Sequence, residues 1–454
     1  METAEKLALL AASARYDASC ASSGSARRGA LGAANAGGVC HAWTEDGRCV
    51  SLLKVLLSNR CRYDCAYCAN RASAEVPRAS FETDELVRIV VSFYRRNYIE
   101  GLFLSSGVFA EPDTVMERMN EVARRLRRDE GFGGYIHLKA IPGAGERTLA
   151  EAGFLADRLS ANIELPTARA LASLAPDKDG RAIVGMMRSI DGRIREDADG
   201  RRGAARRPRA WAPAGQSTQL VVGASPDSDR EIVALAGALY REVRLRRVYY
   251  SAYLPVSTDP RLPGSPPPLL REHRLYQADW LVRRYGFSTG EILEDDAENL
   301  DPDLDPKSAW ALRHLDRFPV ELAKAPWEEL LRVPGIGATG ARRILESRRA
   351  GGLSLEALPS LGIVMKRARW FVTVRGRAPA GAGTDLALPR LRALISDRPA
   401  PRGDDAPGSA PAVDTRSLEA PHPSAVHPGS AEGVPPVPAA DPLQLELGLG
   451  KGAA

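Results

Sequence analysis

Cysteine is scarce in this chain of 454 residues: there are six, all within the first 68 positions. That is too few for a disulfide scaffold, and three within eight positions point instead to metal binding in a reducing cytoplasm. Long apolar runs are missing as well. The stretch Leu7 to Ala14 is cut short by Arg15, and nowhere do about 18 uncharged apolar residues follow one another, so neither export nor membrane spanning is expected. No internal repeat at a solenoid period occurs. A strong excess of one charge is also absent, with 62 Lys and Arg against 57 Asp and Glu for a net charge of +5. Arginine nevertheless far outnumbers lysine and comes in local runs. Its guanidinium forks suit phosphate and make nucleic acid a candidate partner, although a base-composition bias in the gene would enrich arginine equally. What is present, 44% hydrophobic and 26% charged residues, is the make-up of a globular protein, here long enough for two domains and a tail.

From about Ser51 to Tyr285 short apolar runs alternate with amphipathic segments. Candidate strands are Leu52 to Leu57, Gly101 to Ser105, Tyr135 to Ala140, Arg158 to Leu165, Thr218 to Val222 and Arg247 to Tyr253. Helix signals include Thr83 to Arg96 and Ser228 to Arg241, each opened by a hydroxyl residue with acidic residues behind it. Such alternation makes a parallel α/β sheet, open or closed into a barrel. Ser160, Asn162 and Glu164 share one strand face, as do Tyr135, His137 and Lys139. A fully buried parallel strand should not be half polar. A barrel with a ligand chamber accounts for the pattern, and an edge strand facing water is the alternative. Residues 182 to 209, with Arg188, Arg193, Arg195, Arg201, Arg202, Arg206, Arg207 and Arg209 among Gly and Asp, read as a flexible basic insertion.

The segment Cys61-Arg-Tyr-Asp-Cys65-Ala-Tyr-Cys68 sets three thiolates on one tight loop after a predicted strand. Three thiolates can hold three irons of a cubane cluster, leaving the fourth iron open to a small molecule. A closed zinc or electron-transfer site needs a fourth ligand, and no further Cys or His stands at such close spacing. Cys20, Cys40 and Cys49 are spaced too widely for a compact ligand pattern, so buried free cysteine and an auxiliary metal site both stand open for them. The triplet, with Tyr67 before its last cysteine, resembles the signature of the radical SAM superfamily. The resemblance implies a [4Fe-4S] cluster on Cys61, Cys65 and Cys68 and S-adenosyl-L-methionine on the open iron. It also implies reductive cleavage giving a 5'-deoxyadenosyl radical, Tyr67 near the adenine, and an electron donor such as flavodoxin or ferredoxin. Where many members carry a Gly-Gly-Glu turn for the methionine amino group, this chain has Ser105-Ser106-Gly107, so backbone carbonyls or hydroxyls would take that role. Asn162 and Glu164 are candidate cofactor contacts, with an ordinary ion pair as the other reading of Glu164.

Toward the C-terminus, Leu330-Leu-Arg-Val-Pro-Gly335-Ile336-Gly337-Ala-Thr-Gly-Ala-Arg342-Arg343-Ile-Leu345 joins a helix end, a tight turn and a second helix start. The glycines let backbone amides approach an anion at a helix N-terminus, where Arg342 and Arg343 add charge. The segment resembles the helix-hairpin-helix motif of DNA repair and replication proteins, and a weaker copy runs from Leu358 to Trp370. A hairpin used only for packing is the competing reading. The whole order, with Tyr94 to Gly107, Tyr135 to Lys139, Pro213 to Gln219 and Arg271 to Trp280, resembles radical SAM proteins ascribed to DNA modification or repair. That family is often linked to a uracil-DNA-glycosylase-like partner. The expected fold is α/β, a partial (β/α)6-type barrel, then a small all-α helix-hairpin-helix domain and a disordered tail. The boundaries are 1–50 for an N-terminal extension, 51–290 for the barrel, 291–376 for the hairpin domain and 377–454 for the Pro, Ala and Gly-rich tail. Arg271, His273, Arg274 and Gln277 read as a helix face that either touches substrate or closes the barrel while Trp280 packs in a core. Gln444 to Leu449 resembles a sliding-clamp-binding peptide. The expected function is radical SAM modification or repair of a nucleotide in DNA. RNA modification and a non-catalytic iron-sulfur DNA-binding protein are the alternatives.

Overall fold

The computed structural model describes residues 1–14, 39–43, 49–202, 209–294, 297–382 and 387–397. These fall into two compact units, the first ending at Glu272 and the second beginning at His273.

The first unit runs α1 (Thr3–Ala14), β1 (Val39–Trp43), β2 (Cys49–Leu56), α2 (Thr83–Arg95), β3 (Gly101–Ser105), α3 (Pro112–Arg128), β4 (Tyr135–Lys139), α4 (Glu146–Leu155), β5 (Arg158–Ser160), α5 (Ala168–Leu174), α6 (Gly180–Gly200), β6 (Gln216–Val222), α7 (Asp229–Glu242) and β7 (Arg247–Ala252). The sheet order is β1 to β7 in sequence. Strand β1 pairs antiparallel with β2, and every later neighbour pairs parallel. A strand order that never reverses is singly wound, so right-handed crossovers put the helices on one face and the sheet curls around the other. The result is a curled half-barrel of six parallel strands.

Side-chain alternation fits that curl. On one face Leu53, Val55, Leu102, Leu104, Ile136, Leu138, Leu159, Leu220 and Val248 are buried. On this face Gln216 donates to the carbonyls of Met187 in α6 and Val243 after α7, so it is the face the helices cover. The opposite face carries Lys54, Phe103, His137 and Arg158 in register across β2 to β5. Lys139, Ser160, Ser217 and Arg247 follow in register across β4 to β7. Lys54, His137, Ser160 and Ser217 are buried although polar. The half-polar strands therefore line a concave interior, not a wet edge.

The second unit begins within α8 (Leu269–Arg284) and contains α9 (Thr289–Ile292), α10 (Pro306–Arg313), β8 (Val320–Glu321), α11 (Trp327–Arg332), α12 (Ala338–Arg349), α13 (Met365–Ala368), β9 (Val372–Thr373) and α14 (Leu388–Ile395). Its core gathers Phe287, Trp310, Leu330, Val333, Ile336, Ile344, Leu358 and Phe371, all buried. Phe287 meets Trp310 edge to face at 5.3 Å, and Phe318 meets Phe371 likewise at 4.9 Å. The unit is not all helical, because β8 and β9 pair in parallel.

Several expectations need correction. The basic segment is not a loop up to Gly200 but the helix α6, capped by Asp179 and burying Ile183, Val184, Met187 and Ile190 at helical spacing. Its arginines are tied to acids, Arg195 to Asp191 at 3.0 Å, Arg201 to Asp197 at 2.8 Å and Arg193 to Glu146 at 2.6 Å. Arg206 and Arg207 lie outside the described residues. Strand β5 stops at Ser160, because Glu164 takes a left-handed φ of 66° and bridges to Leu220 instead. The unit division falls at Glu272, earlier than residue 291. Order continues past Gly376 into α14, where Leu391 and Ile395 are buried and Arg392 pairs with Asp301 at 2.6 Å. Cys40 pairs with Leu52 and Cys49 with Trp43 in the β1–β2 ladder, while Cys20 and Gln444 to Leu449 lie outside the described residues. No described helix is long and apolar enough to cross a membrane.

Candidate functional site

The loop that follows β2 carries Cys61, Cys65 and Cys68, and its backbone is pinned at many points. Arg62 N–H donates to Val108 O at 2.8 Å, Ala66 N–H to Leu174 O at 2.7 Å and Cys68 N–H to Cys65 O at 2.9 Å. Asp64 accepts from Ser73 N–H at 2.9 Å. The Arg78 guanidinium donates to the carbonyls of Asn59, Asn70, Arg71 and Ala74 at 2.7 to 2.9 Å, spanning the loop like a clamp. Nothing in the sequence pattern singles out Arg78, since its partners are all main-chain carbonyls.

Gly107 lies against this loop. A Cβ there would stand 2.2 Å from Arg60 O and 3.2 Å from Cys61 Cβ, so only glycine lets the β3 end approach the first cysteine. Its N–H donates to Ser58 O at 2.7 Å, and Ser106 Oγ donates to Gly107 O at 2.8 Å. Ser105 is buried, and its carbonyl accepts from Leu57 N–H at 2.8 Å. These contacts give the Ser-Ser-Gly turn a role in holding the cysteine loop.

Burial pushes the Cys68 thiol up to about 12 and raises that of Cys65. Cys65 feels the charge of Cys61, and Cys68 feels those of Cys65 and Cys61, while Lys178 opposes the rise in both. The N–H of Asn70 points at Cys68 Sγ at 3.4 Å, a contact that favours a thiolate or a bound sulfur. Burial also raises the Tyr67 phenol well above its ordinary value, and the nearby Glu164 and cysteine charges add to the rise. Among the described residues no three Cys, His, Asp or Glu side chains converge as a single metal ion would need. A cubane cluster gives each thiolate its own iron, so its ligands stand apart around it. Three thiols in mutual electrostatic range, on a loop this well anchored, fit that donor set.

Beside the triplet, Glu164 is held between two lysines. Lys178 Nζ donates to Glu164 Oε1 at 3.0 Å, and Lys139 Nζ reaches the same oxygen at 3.5 Å. Burial disfavours the Lys178 charge, but the Glu164 and Cys65 anions outweigh it and raise its pKa. Asn162 Nδ2 donates to Gln219 Oε1 at 3.2 Å on the interior face. Glu164 N–H donates to Gln219 O at 2.9 Å, so Asn162 and Glu164 share one neighbour, and Glu164, whose charge Cys65 feels, is an ion-pair partner as well as a polar group close to the triplet. Lys178 was not legible in sequence, because it comes from an irregular segment with no periodic signal. Further down the interior, Lys54 Nζ lies 5.8 Å from the Phe103 ring, which meets His137 edge to face at 4.5 Å.

In the second unit Val333 to Gly337 form the turn between α11 and α12. Ile336 N–H donates to Val333 O at 3.1 Å, and Gly335 takes a left-handed φ of 81°. A Cβ on Gly335 would stand 2.5 Å from Val364 O. Val364 N–H also donates to Gly335 O at 3.0 Å, so the turn is braced by the segment around Val364. Gly337 is the N-cap of α12 and gives no side-chain cap. Ile336 is buried, Arg343 donates to Leu361 O at 3.4 Å, and Arg342 is partly exposed on the first turns. Lys307 was not anticipated: its buried Nζ donates to Leu331 O at 3.0 Å and to Ile336 O, under the turn.

No family model matches the chain, and no curated protein does. Among solved structures it is similar to HydG, a maturase of the [FeFe]-hydrogenase, at 13% identity over 50% of this chain and 48% of that one, with a TM-score of 0.37. It is also similar to the HydG maturase from Carboxydothermus hydrogenoformans, at 14% identity over 50% of each chain, with a TM-score of 0.36. The chain spans about half the length of both. Likeness at this level carries no argument about activity.

Proposed function

We propose that the first unit is a radical SAM enzyme whose cluster sits on Cys61, Cys65 and Cys68 and whose substrate is a nucleotide in DNA. The observation that carries the first part is the placement of three cysteines on one anchored loop beyond the first strand of a singly wound parallel half-barrel. Ligands bind at the carboxyl ends of such strands, where the loops converge. When bound, a [4Fe-4S] cluster with S-adenosylmethionine supplies one-electron chemistry that no side chain provides. The chain's own residues do the rest. Asn70 N–H and Lys178 favour anionic sulfur, the buried Cys65 and Ala66 keep water from the middle of the loop, and Tyr67 gives an apolar ring beside it. Asn162 and Glu164 supply polar groups at the mouth, and Ser105 to Gly107 offer main-chain acceptors in place of the missing carboxylate.

The nucleic-acid reading rests on the second unit. Its glycine-rich turn opens a twelve-residue helix with no side-chain cap at Gly337 and with Arg342 and Arg343 in the first turns, an arrangement that suits a phosphate. The cationic interior of the first unit, with Lys54, Lys139, Arg158 and Arg247 on one sheet face, suits a phosphorylated substrate too. A uracil-DNA-glycosylase-like protein and a sliding clamp engaging Gln444 to Leu449 are the partners proposed with it, and flavodoxin or ferredoxin is the electron donor. RNA in place of DNA is the second reading, since backbone phosphate contacts do not distinguish the two.

Anaerobic reconstitution with iron and sulfide, followed by one-electron reduction with dithionite, should give a cubane electron paramagnetic resonance signal that shifts on adding S-adenosylmethionine. Reductant-dependent 5'-deoxyadenosine should then appear. A yield no greater than that of Cys65→Ala would remove the enzymatic reading.

A further inference from the structure

By sequence, α8 presents Arg271, His273, Arg274 and Gln277 as a face that either touches substrate or closes the barrel while Trp280 packs in a core. The structure reverses those roles. Arg271 is spent on Asp229 at 2.7 Å and on Asp227 O. Arg274 is buried and binds Asp397 at 2.9 Å, Asp301 O at 3.2 Å and Gln277 Oε1 at 2.9 Å. Trp280 instead is 36% exposed, and among the described residues of the second unit it is the one exposed aromatic side chain.

Its surroundings distinguish it from a stray surface residue. The guanidinium carbons of Arg283 and Arg284 each lie 5.8 Å from the Trp280 ring. Arg283 is neutralised by Asp279 at 2.8 Å, whereas Arg284 is exposed and makes no ion pair among the described residues. The indole also adjoins the hairpin turn. Burial raises the Tyr285 phenol, and both the Ala338 amide and the Trp280 indole N–H pull it back. The Tyr285 hydroxyl accepts from Ala338 N–H at 3.4 Å, and a Cβ on Gly337 would stand 3.1 Å from it. One tyrosine side chain therefore separates the exposed indole from the glycine turn.

We infer that Trp280, with Arg284, is a stacking platform for an unpaired base next to the phosphate contact of the glycine turn. Every base has a π-face that an indole can cover, and an adjacent guanidinium with no carboxylate partner complements the flanking phosphate. The second unit then favours a strand with an unpaired nucleotide, such as an overhang or a flipped base, over continuous duplex. This rests on the nucleic-acid reading of the hairpin, and it narrows that reading to a structure in the polymer.

The test uses the full chain and a fluorescent hairpin duplex, blunt or with an unpaired extension, in DNA and in RNA. The wild type should bind the extended form more tightly. Trp280→Ala should lose about tenfold in affinity for the extended form and nothing for the blunt one, and Trp280→Phe should retain most of the preference. Equal losses on both forms, or no loss on either, would overturn the platform. Gly337→Val separates the two readings: if it weakens duplex binding while Trp280→Ala changes nothing, only the platform falls. If the wild type binds neither polymer, the hairpin reading falls and the platform with it.

Discussion

Glu164 shows how one side chain ties the first unit together. Its carboxylate is 7% exposed and faces Lys178, 12% exposed, and Lys139. The main chain there takes a φ of 66°, a conformation a non-glycine residue keeps only where its neighbours over-determine it. Removing one partner of a buried pair leaves a charge without compensation, at about 3 to 5 kcal/mol. Glu164→Gln should therefore destabilise the first unit by roughly 3 kcal/mol in chemical denaturation. Lys139→Met should cost less, because Lys178 keeps its closer partner. Lys307 gives a pH dependence. Burial pushes its pKa down to about 7 from 10.5, against the pull of Asp305. A neutral amine still has two N–H donors for Leu331 O and Ile336 O. Between those values the unfolded chain holds a proton that the fold has released, so stability of the second unit rises with pH across the window. Thermal melts of the wild type should gain on those of Lys307→Met from pH 7 to 9, and parallel curves would contradict this.

At the scale of elements, two turns depend on glycine for different reasons. At Gly107 the obstacle is close approach, a would-be Cβ 2.2 Å from Arg60 O. At Gly335 it is both the φ of 81° and the 2.5 Å approach to Val364 O. Gly107→Ala should shift the cysteine loop and lower iron content after reconstitution, whereas Gly133→Ala, with nothing within 4 Å, should leave it unchanged. Gly335→Ala should cost the second unit about 1 to 3 kcal/mol and weaken nucleic-acid binding without touching the iron content. Helix α6 teaches the converse lesson. Its arginines suggested a flexible basic insertion, but Ile183, Val184, Met187 and Ile190 recur at helical spacing, and Arg195 and Arg201 find acids one turn away.

For the whole molecule, a net charge of +5 from 62 basic and 57 acidic residues is too small for a general attraction to polyanions. Binding should come from local contacts, and its dependence on salt should count them. Arg342→Ala should lower the slope of log affinity against log salt by about 1 and affect all sequences alike. A slope unchanged within error would place Arg342 outside the interface.

What the chain determined by itself is local. The alternation of strands and helices, the polar faces of β4 and β5, the spacing of Cys61, Cys65 and Cys68, and the glycine turn at 335–337 are all periodicities or short spacings, and local sequence encodes those directly. What only the tertiary structure decided depends on residues far apart in the chain. Lys178 meets Glu164 across a loop, Lys307 lies under a turn 24 to 29 residues away, and Arg78 clasps carbonyls on both sides of the cysteine loop. Trp280 is exposed while Leu275, Ala278 and Leu281 of the same helix are buried. Composition cannot foresee which apolar side chain a finite core leaves outside, since that is settled by volume once the other elements have packed.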